Sequence, residues 1–332
     1  MPPEAAGAAG SICYAKAIAI NGRLQTPTPV SVSPASGTPG SQPLTFVFTD
    51  PSGYAYLQVL DVLINNALDG RHACYVAFLP TGPTAGTVFL VEDAGDAGGP
   101  YQGLTLPGSG TVSNGQCTIK GVGSSVTSGS NNLTLALAMT FGSSFAGNKI
   151  VYLAARDTAA NNSGWQALGT LSVPGASYPE GPLGPAVIGA EPGRSTQSTV
   201  APYAFTFTDS NGWRDIAVAN ILVNSAIDGR QSCYLAIVPT SAASAFIMLV
   251  DNAGNAGGPY AGMAVPGAGT VSNGQCTITG AGSTVSASGT TLRVTLQMSF
   301  DHSFAGNRVF FVAARSSTLN SDWQAVGTIS VP

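Results

Sequence analysis

Residues 43 to 157 of this chain align with residues 202 to 316 at a constant offset of 159, with roughly half of the aligned positions identical. After one deletion the match resumes, Trp165 to Pro174 against Trp323 to Pro332. A chain written twice must solve one folding problem twice, and copies of about 130 to 150 residues fall in the ordinary single-domain range. Two cores are therefore expected. Duplication at this fidelity also bears on function, because modular scaffold and surface proteins gain reach from a second copy whereas a single active site gains little.

The copies share their cysteines. Cys74 and Cys117 are 43 residues apart, as are Cys233 and Cys276, and Cys13 stands alone. An even pair at one spacing reads as one disulfide per copy, and closing a loop of this length stabilises by about 4 kcal/mol in the chain-entropy account. Two buried thiols per copy is the alternative, since free cysteine packs as a small hydrophobe. Neither copy places a histidine or further cysteine at zinc-ligand spacing. Bridges would imply an oxidising compartment.

Only 8% of residues are charged, against about 25% in an ordinary soluble domain. Glycine, serine, threonine and asparagine supply the polar surface instead, which suits an extracellular β protein. The net charge is −4 and the 12 lysines and arginines are scattered, so no basic stripe exists for nucleic acid or anionic lipid. No apolar run approaches the roughly 20 residues of a membrane-spanning helix. Met1-Pro-Pro-Glu lacks a cationic segment followed by an apolar run, so export information is expected on an upstream part.

Period-two alternation dominates the chain. Leu133, Leu135, Leu137, Met139 and Phe141 alternate with small or polar residues, and Leu292, Val294, Leu296, Met298 and Phe300 repeat the pattern. Shorter strands are expected at 46–48, 75–78, 88–91 and 150–154 and at their copies. Runs 57–64 and 216–223 are more continuously apolar and read as central strands or as a helical turn. Asn114-Gly115 and Asn273-Gly274 predict hairpins with type I′ turns. Asp50-Pro51-Ser52-Gly53 and Asp209-Ser210-Asn211-Gly212 fit type I turns. Short strands at this spacing predict two antiparallel sheets per copy. Gly175 to Gln197, punctuated by Pro179, Pro182, Pro185 and Pro192, reads as a semi-extended linker that few core contacts cross. Pro29 to Val32 and Pro185 to Ile188 are expected to enter as edge strands. Residues 11 to 33 resemble the closing hairpin of a preceding copy.

Little in the chain points to catalysis. His72 faces Gln231 and His302 faces Ser143 in the alignment, Asp61 becomes Asn220, and the shared acids Asp50/Asp209, Asp69/Asp228 and Glu92/Asp251 sit at turns or strand ends. The acidic run Glu92-Asp93-Ala-Gly-Asp96 keeps one acid in its copy, which argues for a loop held by Asx turns over a calcium site. Asp69-Gly70-Arg71 reads as a turn closed by its own ion pair. A Lys-to-Asn crosslink is excluded in the second copy, which has no lysine. Tyr54/Trp213, Tyr101/Tyr260 and Trp165/Trp323 lie beside turns and are the candidate ligand-contacting aromatics, with capping of the core as the alternative.

The recurring strings Phe-Thr-Asp-x-x-Gly, Asn-x-Ala-x-Asp-Gly-Arg-x-x-Cys-Tyr, Ser-Asn-Gly-Gln-Cys-Thr, Ser-Phe-Ala-Gly-Asn, Ala-Ala-Arg and Trp-Gln-Ala-x-Gly resemble the tandem immunoglobulin-like or fibronectin-type-III-like repeats of large secreted bacterial surface proteins. The cysteine spacing is shorter than in antibody domains and no tryptophan lies between Cys74 and Cys117, so the resemblance is architectural. It implies an all-β chain: an N-terminal segment 1–28, immunoglobulin-like sandwiches at 29–174 and 185–332, and a Pro/Gly-rich linker at 175–184. It further implies a non-catalytic extracellular structural or adhesive module, without cofactor or metal, whose partners are other protein modules or copies of itself. A carbohydrate-binding module that uses the turn aromatics on a surface glycan is the second reading, and an enzyme with a site between the copies the third.

Overall fold

The computed structural model describes residues 19–20, 23–24, 26–40, 42–175 and 184–332. Most of the expected linker, residues 176–183, lies outside the described residues, as do Ile12, Cys13 and Tyr14. Strands β1 (Ala19–Ile20) and β2 (Arg23–Leu24) form a two-stranded ladder of their own. Among the described residues they join none of the four larger sheets that follow.

The first half contains β3 (Thr28–Ser33), β4 (Leu44–Thr49), β5 (Leu57–Asn65), β6 (Cys74–Gly82), β7 (Ala85–Val91), β8 (Tyr101–Leu106), β9 (Thr111–Ser113), β10 (Cys117–Ser128), β11 (Asn132–Phe141), β12 (Gly147–Asp157) and β13 (Gln166–Val173). They make a five-stranded sheet, β3-β4-β11-β10-β9, and a six-stranded sheet, β13-β12-β5-β6-β7-β8. Alternation decides which side chains enter. Phe46, Phe48, Leu133, Leu135 and Leu137 from the first sheet meet Leu60, Val62, Val76, Phe78, Val88 and Leu153 from the second in one buried cluster.

The second half repeats this plan in β14 (Ala186–Glu191), β15 (Arg194–Thr196), β16 (Ala201–Thr208), β17 (Val218–Asn224), β18 (Cys233–Ser241), β19 (Ser244–Val250), β20 (Tyr260–Val265), β21 (Thr270–Ser272), β22 (Cys276–Ser288), β23 (Thr291–Phe300), β24 (Gly306–Arg315) and β25 (Gln324–Val331). Its sheets run β14-β16-β23-β22-β21 and β15-β25-β24-β17-β18-β19-β20. Strand β15 pairs in parallel with β25. The first half makes the same contact without a named strand, through Thr170 N–H to the Ala35 carbonyl and Ser172 N–H to the Gly37 carbonyl. The all-β fold is thus a set of sheets packed face to face, with β3, which contains Pro29, and β14, which follows Pro185, at sheet edges where a missing N–H is tolerated. Runs 57–64 and 216–223 are interior strands, each entered through a short 3₁₀ turn.

Both expected disulfides are present. Cys74 on β6 joins Cys117 on β10, and Cys233 on β18 joins Cys276 on β22, each with Cα atoms 5.6 Å apart. Each bridge therefore ties one sheet to the opposing sheet within the buried cluster.

The Asn-Gly hairpins are present, but their turns differ from expectation. None of Asn114, Gly115 and Asn273 has the positive φ a type I′ turn needs; only Gly274 does, at 84°. The asparagine side chain explains its place instead. Asn114 Nδ2 donates to the carbonyls of Ala73 (2.9 Å) and Val91 (3.0 Å), while its Oδ1 accepts from the N–H groups of Gln116 and Cys117. Asn273 repeats all four bonds. One amide thus fastens the cysteine strand to two neighbouring segments.

The expectation that few core contacts cross between the copies is not met. A third apolar cluster joins the outer face of β5, β12 and β13 to the outer face of β17, β24 and β25. Leu63, Ile150, Tyr152 and Ala167 pack there with Leu222, Val309, Phe311 and Ala325. Two side-chain bonds exchange the roles of the halves: Asn148 Nδ2 donates to Gln324 Oε1 at 3.1 Å, and Asn307 Nδ2 donates to Gln166 Oε1 at 2.8 Å. Because Asn148 aligns with Asn307 and Gln166 with Gln324, the contact is self-complementary, as in a two-fold dimer.

Candidate functional site

The six candidate aromatics separate into three environments. Tyr54 and Trp213, in the 3₁₀ turns after the Asp-x-x-Gly loops, pack against the two main clusters, and the Arg214 guanidinium lies 4.7 Å over the Trp213 ring. They cap the cores. Trp165 meets Tyr75 edge-on at 5.8 Å, and Trp323 meets Tyr234 at 5.9 Å, along the border of the cluster between the halves. Tyr101 and Tyr260 remain 42% exposed at the outermost strands β8 and β20.

The turn carboxylates are spent on local structure. Asp50 Oδ1 and Asp209 Oδ1 accept from N–H groups two residues on, at 2.8 and 2.9 Å. Asp69 and Asp228 form exposed ion pairs with Arg71 and Arg230 at 2.7 Å, and these bonds lower the pKa of both carboxyls to about 2. In the acidic run, Glu92 Oε1 accepts from Gln102 Nε2, Asp93 Oδ1 from the Gly115 N–H, and Asp96 Oδ1 from the Gly98 N–H. Among the described residues no three His, Cys, Asp or Glu side chains converge to hold a metal. His72 and His302 are exposed.

What the structure does bring together is a groove on the outer face of each long sheet. In the first half, Val59 and Asp61 of β5, Tyr75, Ala77 and Leu79 of β6, Phe89 of β7, Tyr101 of β8 and Arg156 of β12 line a space of about 420 Å³. In the second, Val218, Asn220, Tyr234, Ala236, Met248, Tyr260 and Arg315 line about 440 Å³. Apart from Leu79, these lining positions correspond across the two copies at the offset of 159. The sheet geometry is the reason: residues two apart on one strand share a face, so β5 presents Asp61 to the groove and Leu63 to the other half.

At the floor, Asp61 lies opposite Ala77 on one neighbouring strand and Ala154 on the other, and Asn220 lies opposite Ala236 and Ala313. The small alanines leave the central polar group open to the space above. Burial pushes the Asp61 carboxyl up to about 6, against the opposing pull of Arg156. Tyr75 is pushed up to about 12, chiefly by burial and then by the Asp61 charge. Asn220 Nδ2 makes only a long contact, 3.4 Å, to the Leu235 carbonyl.

The rings of the outer wall are tied to their own loops. Tyr101 O–H donates to the Ala97 carbonyl and Tyr260 O–H to the Ala256 carbonyl, while Phe89 meets Tyr101 edge-on at 5.8 Å. Each ring also lies on a glycine: a Cβ at Gly99 or Gly258 would fall 3.2 Å from Cε2 of Tyr101 or Tyr260, and both glycines have φ near +100°. Only glycine accommodates both that conformation and that contact. Of the residues lining the grooves, the sequence singles out Tyr101, Tyr260 and Trp323 but not Tyr75, Tyr234, Arg156 or Arg315, and Asp61 reads there only as an acid without a counterpart in the second copy. The phase of alternation along β5, with Val59, Asp61 and Leu63 on one face, was the available signal. No protein-family model and no curated protein sequence matches the chain.

Proposed function

We propose that the chain is a non-catalytic structural or adhesive module of an extracellular protein, built of immunoglobulin-like sandwiches in series and presented to other protein modules or to copies of itself. The observation that supports this best is the mating of the halves. Each sandwich is clamped between its own sheets by a disulfide, and the two are locked to each other by an apolar cluster with reciprocal Asn-to-Gln bonds. Such a unit carries load and holds its surface in fixed orientation. The disulfides and the sparse charge favour an oxidising exterior.

The test is to probe intact, unpermeabilised source cells and their medium with antibody against the chain and to alkylate it before and after reduction. The reading expects extracellular antigen in which Cys74, Cys117, Cys233 and Cys276 react only after reduction. Antigen confined to the cell interior, with those thiols free, would contradict it. So would hydrolytic turnover that Asp61→Asn abolishes.

A further inference from the structure

We propose that the paired grooves are binding sites for neutral pyranose sugars, one per half, with Tyr101 and Tyr260 as stacking platforms. The proposal goes beyond the scaffold role and does not depend on it. Three observations lead to it.

First, the wall of each groove is an aromatic ring that is exposed yet tied to its own loop. Its hydroxyl is committed to a backbone carbonyl, and it sits so near a glycine that a Cβ there would fall 3.2 Å from the ring. One face of a pyranose presents C–H groups that pack on such a ring, and a platform fixed beforehand loses little freedom on binding. Second, the floor offers polar groups suited to hydroxyls. Asp61 and Arg156 in one groove, and Asn220 and Arg315 in the other, place an acceptor and a fork of donors within one space. The volumes of about 420 and 440 Å³ fall in the range of small-ligand sites.

Third, the charges lining the two grooves match although the floor residue differs. Asp61 and Asn220 occupy equivalent floor positions and share an acceptor oxygen, and the carboxylate missing at Asn220 is supplied in the second groove by Asp322. Each groove therefore sets one carboxylate against one arginine, Asp61 with Arg156 and Asp322 with Arg315, and neither presents a net charge to its ligand. What the two share is an acceptor beside an arginine, which the vicinal hydroxyls of a neutral ligand satisfy.

The test is saturation-transfer NMR on the full oxidised chain with methyl β-glucopyranoside, methyl β-galactopyranoside and N-acetylglucosamine as neutral probes, and glucosamine and glucuronate as charged ones. We expect transfer to at least one neutral probe, weakened by Tyr101→Ala or Tyr260→Ala and lost in the double variant, with unchanged thermal unfolding as the control. Asp61→Asn keeps an acceptor oxygen at the floor of the first groove and should retain binding. Tyr101→Phe with Tyr260→Phe keeps both rings but releases them from the Ala97 and Ala256 carbonyls, and should bind more weakly than the parent yet more strongly than the double alanine variant. Absence of transfer to every neutral probe, transfer undiminished in the double alanine variant, or binding of glucosamine alone that Asp61→Asn abolishes would overturn the proposal.

Discussion

Asp61 shows how one side chain is shaped by its neighbours. Between Ala77 and Ala154 it loses solvent without gaining a hydrogen-bond donor, so its carboxyl binds a proton more tightly in the folded chain than in the unfolded one, where 3.8 applies. The contribution to stability is therefore fully present below 3.8 and is lost as pH rises through about 6. Asp61→Asn should remove that dependence. The variant's melting temperature relative to the parent is expected to climb between those two pH values and then level off, the plateau amounting to at most about 3 kcal/mol. Thermal unfolding of both proteins from acid to neutral pH checks this; a parallel pair of curves would contradict it. Asn114 makes the opposite case, a polar group with every partner satisfied. Asn114→Ala strands two carbonyls and two N–H groups near the disulfide, and denaturant titration should show a loss of about 2 kcal/mol or more.

Among the elements, alternation made the strands legible. Strand β11 buries Leu133, Leu135, Leu137 and Met139, and β23 buries Leu292, Val294, Leu296, Met298 and Phe300, as their two-residue period requires. The disulfides were legible from a spacing that recurs. What alternation could not tell is the use of the outward face. Leu63, Tyr152 and Phe311 sit in strands whose other faces already fill a core, and a second apolar face has the same composition whether it meets a partner sheet or a ligand. Likewise the Asn-Gly pair marked a hairpin, but the side-chain bonds to Ala73 and Val91 depend on segments 41 and 23 residues away. Pairing Cys74→Ser with Cys117→Ser should lower stability by about 4 kcal/mol. Because Cys233 and Cys276 are untouched, amide hydrogen exchange should report faster opening in β6 and β10 than in β18 and β22.

At the scale of the whole molecule, the claim that matters is that the halves share a buried, self-complementary face. Phe311 belongs to that face and to neither sandwich core. Phe311→Ala should therefore cost about 3 kcal/mol and, with the coupling weakened, split one calorimetric transition into two. A single undisplaced transition would argue against the interface. The most direct measurement places cysteines at Asn148 and Gln324 in a Cys13→Ser chain and treats the folded protein with a short bifunctional maleimide. The side chains at these positions are 3.1 Å apart across the halves although 176 residues separate them in sequence. The account predicts a cross-link within one chain at high yield, formed at the same fractional extent as protein is diluted; capping of each cysteine separately, or adducts only between chains, would contradict it.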